Sequence, residues 1–338
     1  MQRRTWLAGV FMMMSGCVDP AVADGTFSAG VGTGAAEGDD DGGLADESST
    51  GGPVTTGADG PSALDVASDS DVSVCPCAAG NDGIYLMSDS SQLWSFDPAS
   101  GSFTQLGVLA CAPPTGYFQS MAVDRQGIAT LAYQVLGGDG AWGLSMRTYR
   151  VALDDLSSCE EVQLPLPDDR VPYGMGYVGG GTSDGCDDLF VFDHDAGIEP
   201  SADTGGRIAR IDHAGGEYAV VGTLAYEQAQ VSGSGAGRLY AFAGDSDSAQ
   251  FLELAVADAA VLESRELPGH NGQNGLAFAF WGGDAWLFSD SGVDDGSIVT
   301  RVDLDGDDGG GSSIAVAATP VRILGAGVST CAPYVPTG

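Results

Sequence analysis

Five copies of one short apolar run constrain this chain more than anything else in it. They read IYLMSD from Ile84, IATLAY from Ile128, LFVFDH from Leu189, LYAFAG from Leu239 and AWLFSD from Ala285, so the starts lie 44, 61, 50 and 46 residues apart. A compact apolar run of this length suits a strand buried on both faces. A second strand-like stretch with a polar turn follows each: LWSFDPASG, TYRVALDDL, IARIDHAGG, FLELAVADA and VTRVDLDGD. Copies two to five are preceded by a strand rich in small residues: FQSMAVD from Phe118, YGMGYVG from Tyr173, QVSGSG from Gln230 and GLAFAF from Gly275. A period of roughly 40 to 50 residues with four strands in each predicts an all-β propeller of five four-stranded blades. A six- or seven-bladed ring would need a degenerate blade in 139–147 or in the 61-residue interval.

The first copy shows the unit most clearly, in GIYLMSDSSQLWSFDPASGSFTQLG from Gly83 to Gly107. Ser88 to Ser91 makes a polar turn, and Asp97-Pro98-Ala99-Ser100-Gly101 a second one. There the Asp side chain can bond the backbone two residues on, Pro presets φ, and Gly accepts positive φ. This copy lacks a leading strand. The missing piece stands at the other end of the chain, where Ile323-Leu324-Gly325-Ala326-Gly327-Val328 resembles the other leading strands and has no blade after it. Pairing it with the first blade closes the ring and removes an open sheet edge. Leading strands lie nearest the axis of a propeller, so Gly174, Gly176, Gly233, Gly275, Gly325 and Gly327 suit a ring with little room there.

Three segments follow from composition. Arg3 and Arg4 precede the apolar stretch Trp6 to Met14, an n-region and h-region too short to span a bilayer. Residues 1–16 are therefore expected to be a signal peptide. Met14-Ser15-Gly16-Cys17 resembles the lipobox of bacterial lipoproteins, with Met where Leu is commoner. The resemblance implies cleavage before Cys17, a diacylglycerol on its thiol, and export to a membrane-anchored place in the cell envelope. Asp19 resembles an inner-membrane retention signal of enteric bacteria and leaves the leaflet open. Residues 17–74 are dense in Gly, Asp, Ser, Thr and Ala, with large apolar residues only at scattered points such as Phe27, Leu44 and Leu64. They cannot bury enough surface to offset chain entropy and predict a disordered acidic tether. Residues 75–338 remain for the propeller.

The charge balance is 12 basic against 47 acidic residues, and the chain contains no Lys. Nucleic acid is excluded as a partner, because phosphate binding needs clustered cations. The acidity suits solubility, or binding of cations or a basic partner.

There are seven cysteines. With Cys17 lipidated, Cys75, Cys77, Cys111, Cys159, Cys186 and Cys331 remain, an even number that export would favour as disulfides. Ring closure predicts Cys331 bonded to Cys77 or Cys75, and Cys111 could pair with Cys159 across adjacent blades. Cys75-Pro76-Cys77 is not a CxxC redox motif.

No catalytic motif stands out. A phosphate loop needs a Lys, which the chain lacks. His194 and His213 lie beside Asp193, Asp195 and Asp212 and read as solvated blade turns. Asp303, Asp305 and Asp307 look faintly like a calcium loop but lack the Gly at position six and the Glu at position twelve. A looser calcium-binding turn is the one cofactor expectation. Asp193, Asp195 and Glu199 form a similar set.

Propeller enzymes place functional residues at the channel mouth, near the leading-strand starts. Here these are Gln119, Tyr173, Gln230, Asn271 and Asn274. The plan resembles propeller lactonases, which hold calcium there with Asn, Asp and Glu; this chain offers amides and no carboxylate. Leu93-Trp94-Ser95-Phe96-Asp97-Pro98 with Gly101 is similar to a turn of bacterial secreted propellers. The resemblance, over roughly Cys77 to Pro333, is to lipid-anchored β-propeller proteins of unknown activity. It implies architecture and address only; the channel mouths without carboxylates and the rim of a rigid propeller favour a non-catalytic binding surface for protein or glycan. The alternative is a calcium-dependent hydrolase or lyase at the channel mouth.

Overall fold

The computed structural model describes residues 76–136, 144–180, 187–196, 204–212, 216–245, 248–270, 277–290, 296–304 and 311–334. The expectations for Cys17, Cys75, Cys186, Glu199, His213, Asn271, Asn274, Gly275, Asp305 and Asp307 fall outside these residues.

In chain order the strands are β1 (Ile84–Ser88), β2 (Gln92–Asp97) and β3 (Ser102–Val108); β4 (Gly116–Val123), β5 (Ile128–Leu136), β6 (Leu144–Ala152) and β7 (Asp155–Val162); β8 (Arg170–Val178), β9 (Asp188–Asp195), β10 (Gly206–Ile211) and β11 (Tyr218–Leu224); β12 (Gln228–Gly233), β13 (Leu239–Gly244), β14 (Ala249–Leu254) and β15 (Val261–Glu266); β16 (Ala277–Trp281), β17 (Asp284–Asp290), β18 (Ser297–Val302) and β19 (Ser312–Val316); and β20 (Ile323–Val328). They form five four-stranded antiparallel sheets, and the first has the order β20-β1-β2-β3. The inner strands β20, β4, β8, β12 and β16 neighbour one another in that order and return to β20. The protein is a five-bladed β-propeller, and its described residues contain no helix.

Closure occurs where the small-residue pattern of 323–328 places it. β20 pairs antiparallel with β1 in the register Ile84↔Val328, Tyr85↔Gly327, Leu86↔Ala326 and Met87↔Gly325. The disulfide Cys77–Cys331 lies just beyond this pairing, with Cα atoms 5.9 Å apart. A second disulfide, Cys111–Cys159, joins the segment after β3 to β7. The 61-residue interval holds no extra blade among the described residues; it contains β5 to β8, three of them nine residues long.

The apolar runs are buried as their composition demands. Every residue of β1 is buried, and so are Leu239 to Gly244 in β13. Blades join through aromatic rings: Phe96 of the first meets Trp286 and Phe288 of the fifth, edge-on at 5.5 and 5.7 Å between centroids. Such pairs add about 0.5–1.5 kcal/mol to the area they bury. Inner glycines are required by close approach. A Cβ on Gly174 would stand 2.3 Å from the Ala229 carbonyl oxygen of β12, and one on Gly325 would stand 2.3 Å from the Phe118 ring. The Asp97 turn forms as its residues predict: Oδ1 accepts from the Ala99 N–H at 2.9 Å, and Gly101 has φ of 67°.

Candidate functional site

All five inner strands run the same way, so the ring has one face at their starts and another at their ends. At the starts, three of the five expected mouth residues are described. Gln230 Nε2 donates to the Tyr173 carbonyl, and its Oε1 accepts from Ser120 Oγ at 3.3 Å. Gln119 Nε2 lies 3.4 Å from Gln134 Oε1, which turns it toward β5. The structure thus brings Tyr173 and Gln230 together but gives Gln119 a different neighbour.

The third blade contributes charge to this face. Asp193, with no exposed surface, accepts from Arg207 at 3.1 Å and from the Tyr218 hydroxyl at 2.6 Å. Arg170 pairs with Asp195 and lies 3.8 Å from Asp193. Burial raises the Asp193 carboxyl above its usual range, against the opposing pull of Tyr218 and Arg207. His194 departs from the solvated turn expected of it. It belongs to β9, is only 4% exposed, and packs edge-on against Tyr173 and Phe192 at 5.2 and 4.9 Å. The strand continues through it because an aromatic pair covers one face while paired arginines satisfy its neighbours on the other. Burial pulls its pKa below the ordinary value, and its Nε2 has no hydrogen-bond partner.

These residues do not suit a calcium ion. Calcium takes six to eight oxygen ligands. Asp193 is already compensated by arginine, and the Gln230 oxygen is engaged. Among the described residues no group of three His, Cys, Asp or Glu side chains is placed to hold a metal. Of the loop carboxylates only Asp303 is described, and its carbonyl accepts from Arg265 at 2.7 Å.

At the opposite face the strand ends are tied across blades. Arg125, just past β4, donates through Nε to Asp187 Oδ1 at 2.8 Å and through its backbone N–H to Oδ2 at 3.0 Å. Thr330, just past β20, donates to the same Oδ2 at 2.7 Å. Asn81 Nδ2 donates to the Asp124 carbonyl at 2.8 Å and to Ser329 Oγ at 2.9 Å. Asp124 accepts the N–H groups of Gln126 and Ile128 and pairs with Arg150 at 3.3 Å. Burial is the largest influence on the Asp124 carboxyl and raises its pKa. The two aspartates and Asn81 are each less than 5% exposed.

Beside this lock lies a cleft of about 440 Å³ where the first, second and fifth blades meet the 78–83 segment. Asn81, Asp82, Tyr85, Asp97, Asp154 and Trp281 line it. Trp281 Nε1 donates to the Asp82 carbonyl at 2.5 Å, joining the fifth blade to the start of the first. Its volume falls within the range of small-ligand sites. Sequence reasoning passed over Asn81, Asp82 and Asp154 because they sit in short connections, and read Tyr85 and Asp97 only as parts of a strand and a turn. The available signal was the polar position between each leading strand and its apolar run, held by Asp124, Asp187 and Asp284.

No protein-family model matches the sequence, and no curated protein matches it. Solved structures similar to it include the calcium-binding protein regucalcin of Agrobacterium tumefaciens, at 14% identity and TM-score 0.38 over 71% of this chain and 77% of that one. A luciferin-regenerating enzyme matches at 11% identity and TM-score 0.38, over 74% and 80%. A family 117 glycoside hydrolase of Zobellia galactanivorans matches at 10% identity and TM-score 0.40, over 60% and 70%. At these values the likenesses carry no argument about activity.

Proposed function

We propose that this chain is an envelope lipoprotein whose propeller is a binding module, with the cleft at the ring's seam as its ligand site. Residues 1–16 would be removed, Cys17 would carry the lipid, and the acidic stretch to residue 74 would hold the propeller off the membrane. The cleft carries this reading: three blades and the 78–83 segment build its walls, and the lock beside it holds those walls still. A rigid, preorganised site binds without an ordering cost. The partner would be a protein or a glycan at the cell envelope.

The test is export and labelling in intact bacteria. Wild type should incorporate radiolabelled palmitate and sediment with membranes, and Cys17→Ser should do neither. A promiscuous labelling enzyme fused after residue 338 should mark the same envelope partner in wild type and lose it when Trp281→Ala opens the cleft. Membrane retention of Cys17→Ser would overturn the anchor, and undiminished labelling by Trp281→Ala would overturn the site.

A second reading, hydrolysis or lysis at the inner-strand starts, has one observation in its favour: the buried, unpartnered Nε2 of His194 beside Tyr173. In its calcium-dependent form it requires carboxylates that the described residues there do not bring together. Lactone and ester hydrolysis by the purified chain, with and without added calcium, decides it.

A further inference from the structure

The two described disulfides sit in different surroundings. Cys111 and Cys159 are half-buried and pack against the apolar cluster of Leu109, Met121 and Tyr149. Cys77 is exposed, and its partner Cys331 is half-buried. Reduction begins when an outside thiolate attacks one sulfur of the bond, so access decides which disulfide of a folded protein is opened.

Opening the Cys77–Cys331 bond would leave the ring closed. β20 remains paired with β1 from Ile84 to Ser88. Asn81 still donates to Ser329 Oγ, and Thr330 to Asp187 Oδ2. The fold also has a place for the released thiol. Cys331 Sγ lies 3.7 Å from the Arg125 carbonyl oxygen, so the proton gained on reduction meets an acceptor already in position. What the bond adds is a clasp on the segment before β1. Residues Ala78 to Gly83 of that segment form one wall of the seam cleft. Ahead of Asn81 the wall is otherwise held by single hydrogen bonds. The Ala78 N–H donates to the Arg125 carbonyl at 2.8 Å, and the Tyr85 hydroxyl donates to the Gly80 carbonyl at 3.1 Å. Isolated bonds of this kind oppose chain entropy only weakly.

We propose that Cys77–Cys331 is a reversible redox latch on the wall of the seam cleft, worked by a dithiol reductant. A thiolate of the reductant attacks Cys77 Sγ and displaces the Cys331 thiolate, which takes up a proton. The reductant's second thiol then displaces the Cys77 thiolate, which is protonated in turn, and the reductant leaves as a disulfide. One S–S bond is lost from the protein, one forms in the reductant, and two electrons pass between them. The ring stays closed, the wall over 76–83 loosens, and reoxidation fastens it again. Cys111–Cys159 stays oxidised throughout. The latch needs only the geometry of the cleft and stands whether or not the cleft binds an envelope partner.

The test uses the folded full chain with dithiothreitol as the dithiol. Timed alkylation and peptide mass spectrometry follow Cys331 and Cys159, neither of which has another cysteine close in sequence. Cys331 should be alkylated about tenfold or more faster than Cys159. Hydrogen exchange over 76–83 should rise about tenfold with it, and exchange in β1 and β20 should stay as it was. Replacing dithiothreitol with oxidised glutathione should restore the starting protection. The double variant Cys77→Ser, Cys331→Ser should exchange like the reduced wild type, and dithiothreitol should add nothing over 76–83. The wild-type measurements decide the matter even where that variant does not fold. Equal alkylation of Cys159 and Cys331 would overturn the latch. So would alkylation of Cys331 only as exchange rises in β1 and β20, unchanged exchange over 76–83, or protection that oxidised glutathione does not restore.

Discussion

The two faces of the ring handle their polar groups differently. Where the inner strands end, charged and neutral groups join residues far apart in the chain: Arg125 to Asp187, Thr330 to Asp187, and Asn81 to Ser329 across 248 positions. Where the inner strands begin, the charges of the third blade stay within it, with Asp193 meeting Arg207 and Tyr218 only 14 and 25 positions away, and one charged pair, Arg322 with Asp290 at 2.6 Å, joins the first blade to the fifth. The other links between blades there are neutral, from Gln230 to Tyr173 and from Ser120 to Gln230. A closed ring needs its blades fastened only once around the circle. The strand-end face does this beside the Cys77–Cys331 disulfide, which leaves the other face free to vary.

That contrast breaks if its strongest element proves dispensable. Asp187→Ala strips the partner from Arg125 and should cost about 3–5 kcal/mol in urea unfolding, the penalty for stranding a buried charge. Asp193→Ala removes a carboxylate from a set confined to one blade. Hydrogen exchange should then rise in 188–224 alone, whereas Asp187→Ala should raise it in β4, β8 and β20 together. Identical exchange patterns would dissolve the distinction.

The disulfides sharpen it next. Each bond is expected to contribute about 2–4 kcal/mol, growing with the loop it closes. Cys77–Cys331 spans 254 positions and Cys111–Cys159 spans 48. Chain entropy makes the first worth about 1.5 kcal/mol more. Thermal unfolding of paired Cys→Ser variants measures the gap, and a larger loss from the 111–159 pair would reverse the ranking of the fastenings.

Gly174→Ala probes how tightly the inner strands meet at the starting face. Its Cβ would stand 2.3 Å from a backbone oxygen that cannot turn aside. Overpacking of this kind should cost about 1–3 kcal/mol. Gln230→Ala, which deletes only neutral hydrogen bonds, should cost about 1 kcal/mol by the same measurement.

The smallest effect is in pH, where His194 on one face and Asp124 on the other should answer acid with opposite signs. The pKa of His194 is lowered in the fold, so its contribution is intact above the ordinary histidine value of about 6.5 and is lost as pH falls below it. Asp124 has a raised pKa, so its carboxyl favours the folded state increasingly as pH falls through that raised value toward the ordinary one. Melting curves from about pH 7 to about pH 4 should flatten for His194→Gln as pH falls through about 6.5, and for Asp124→Asn as it falls toward the ordinary carboxylate value of about 3.9. Parallel curves for both variants and wild type would remove titration from the comparison.

Much of the architecture was legible because it is written locally. Ile84 to Met87 and Leu239 to Gly244 are apolar throughout and are buried throughout. Gly325 and Gly327 marked the closing strand because only small residues fit where Phe118 and Val123 approach. The Cys77–Cys331 bond followed from that closure. His194 was misplaced because its polar neighbours suggest water, and nothing along the chain announces that Arg170, Arg207 and Tyr218 arrive to satisfy them. The seam cleft was illegible for a related reason: its walls at Asp82 and Trp281 are 199 positions apart.

The sequence by itself determined the strands, their number and the strand that completes the ring, because backbone pairing and two-sided burial depend on runs of a few residues repeated in order. Only the tertiary structure decided that one face would be locked by Asp187 and that a cleft of carboxylates would open beside it. Those meetings depend on how five blades turn about an axis, and distance in space there bears no relation to distance along the chain.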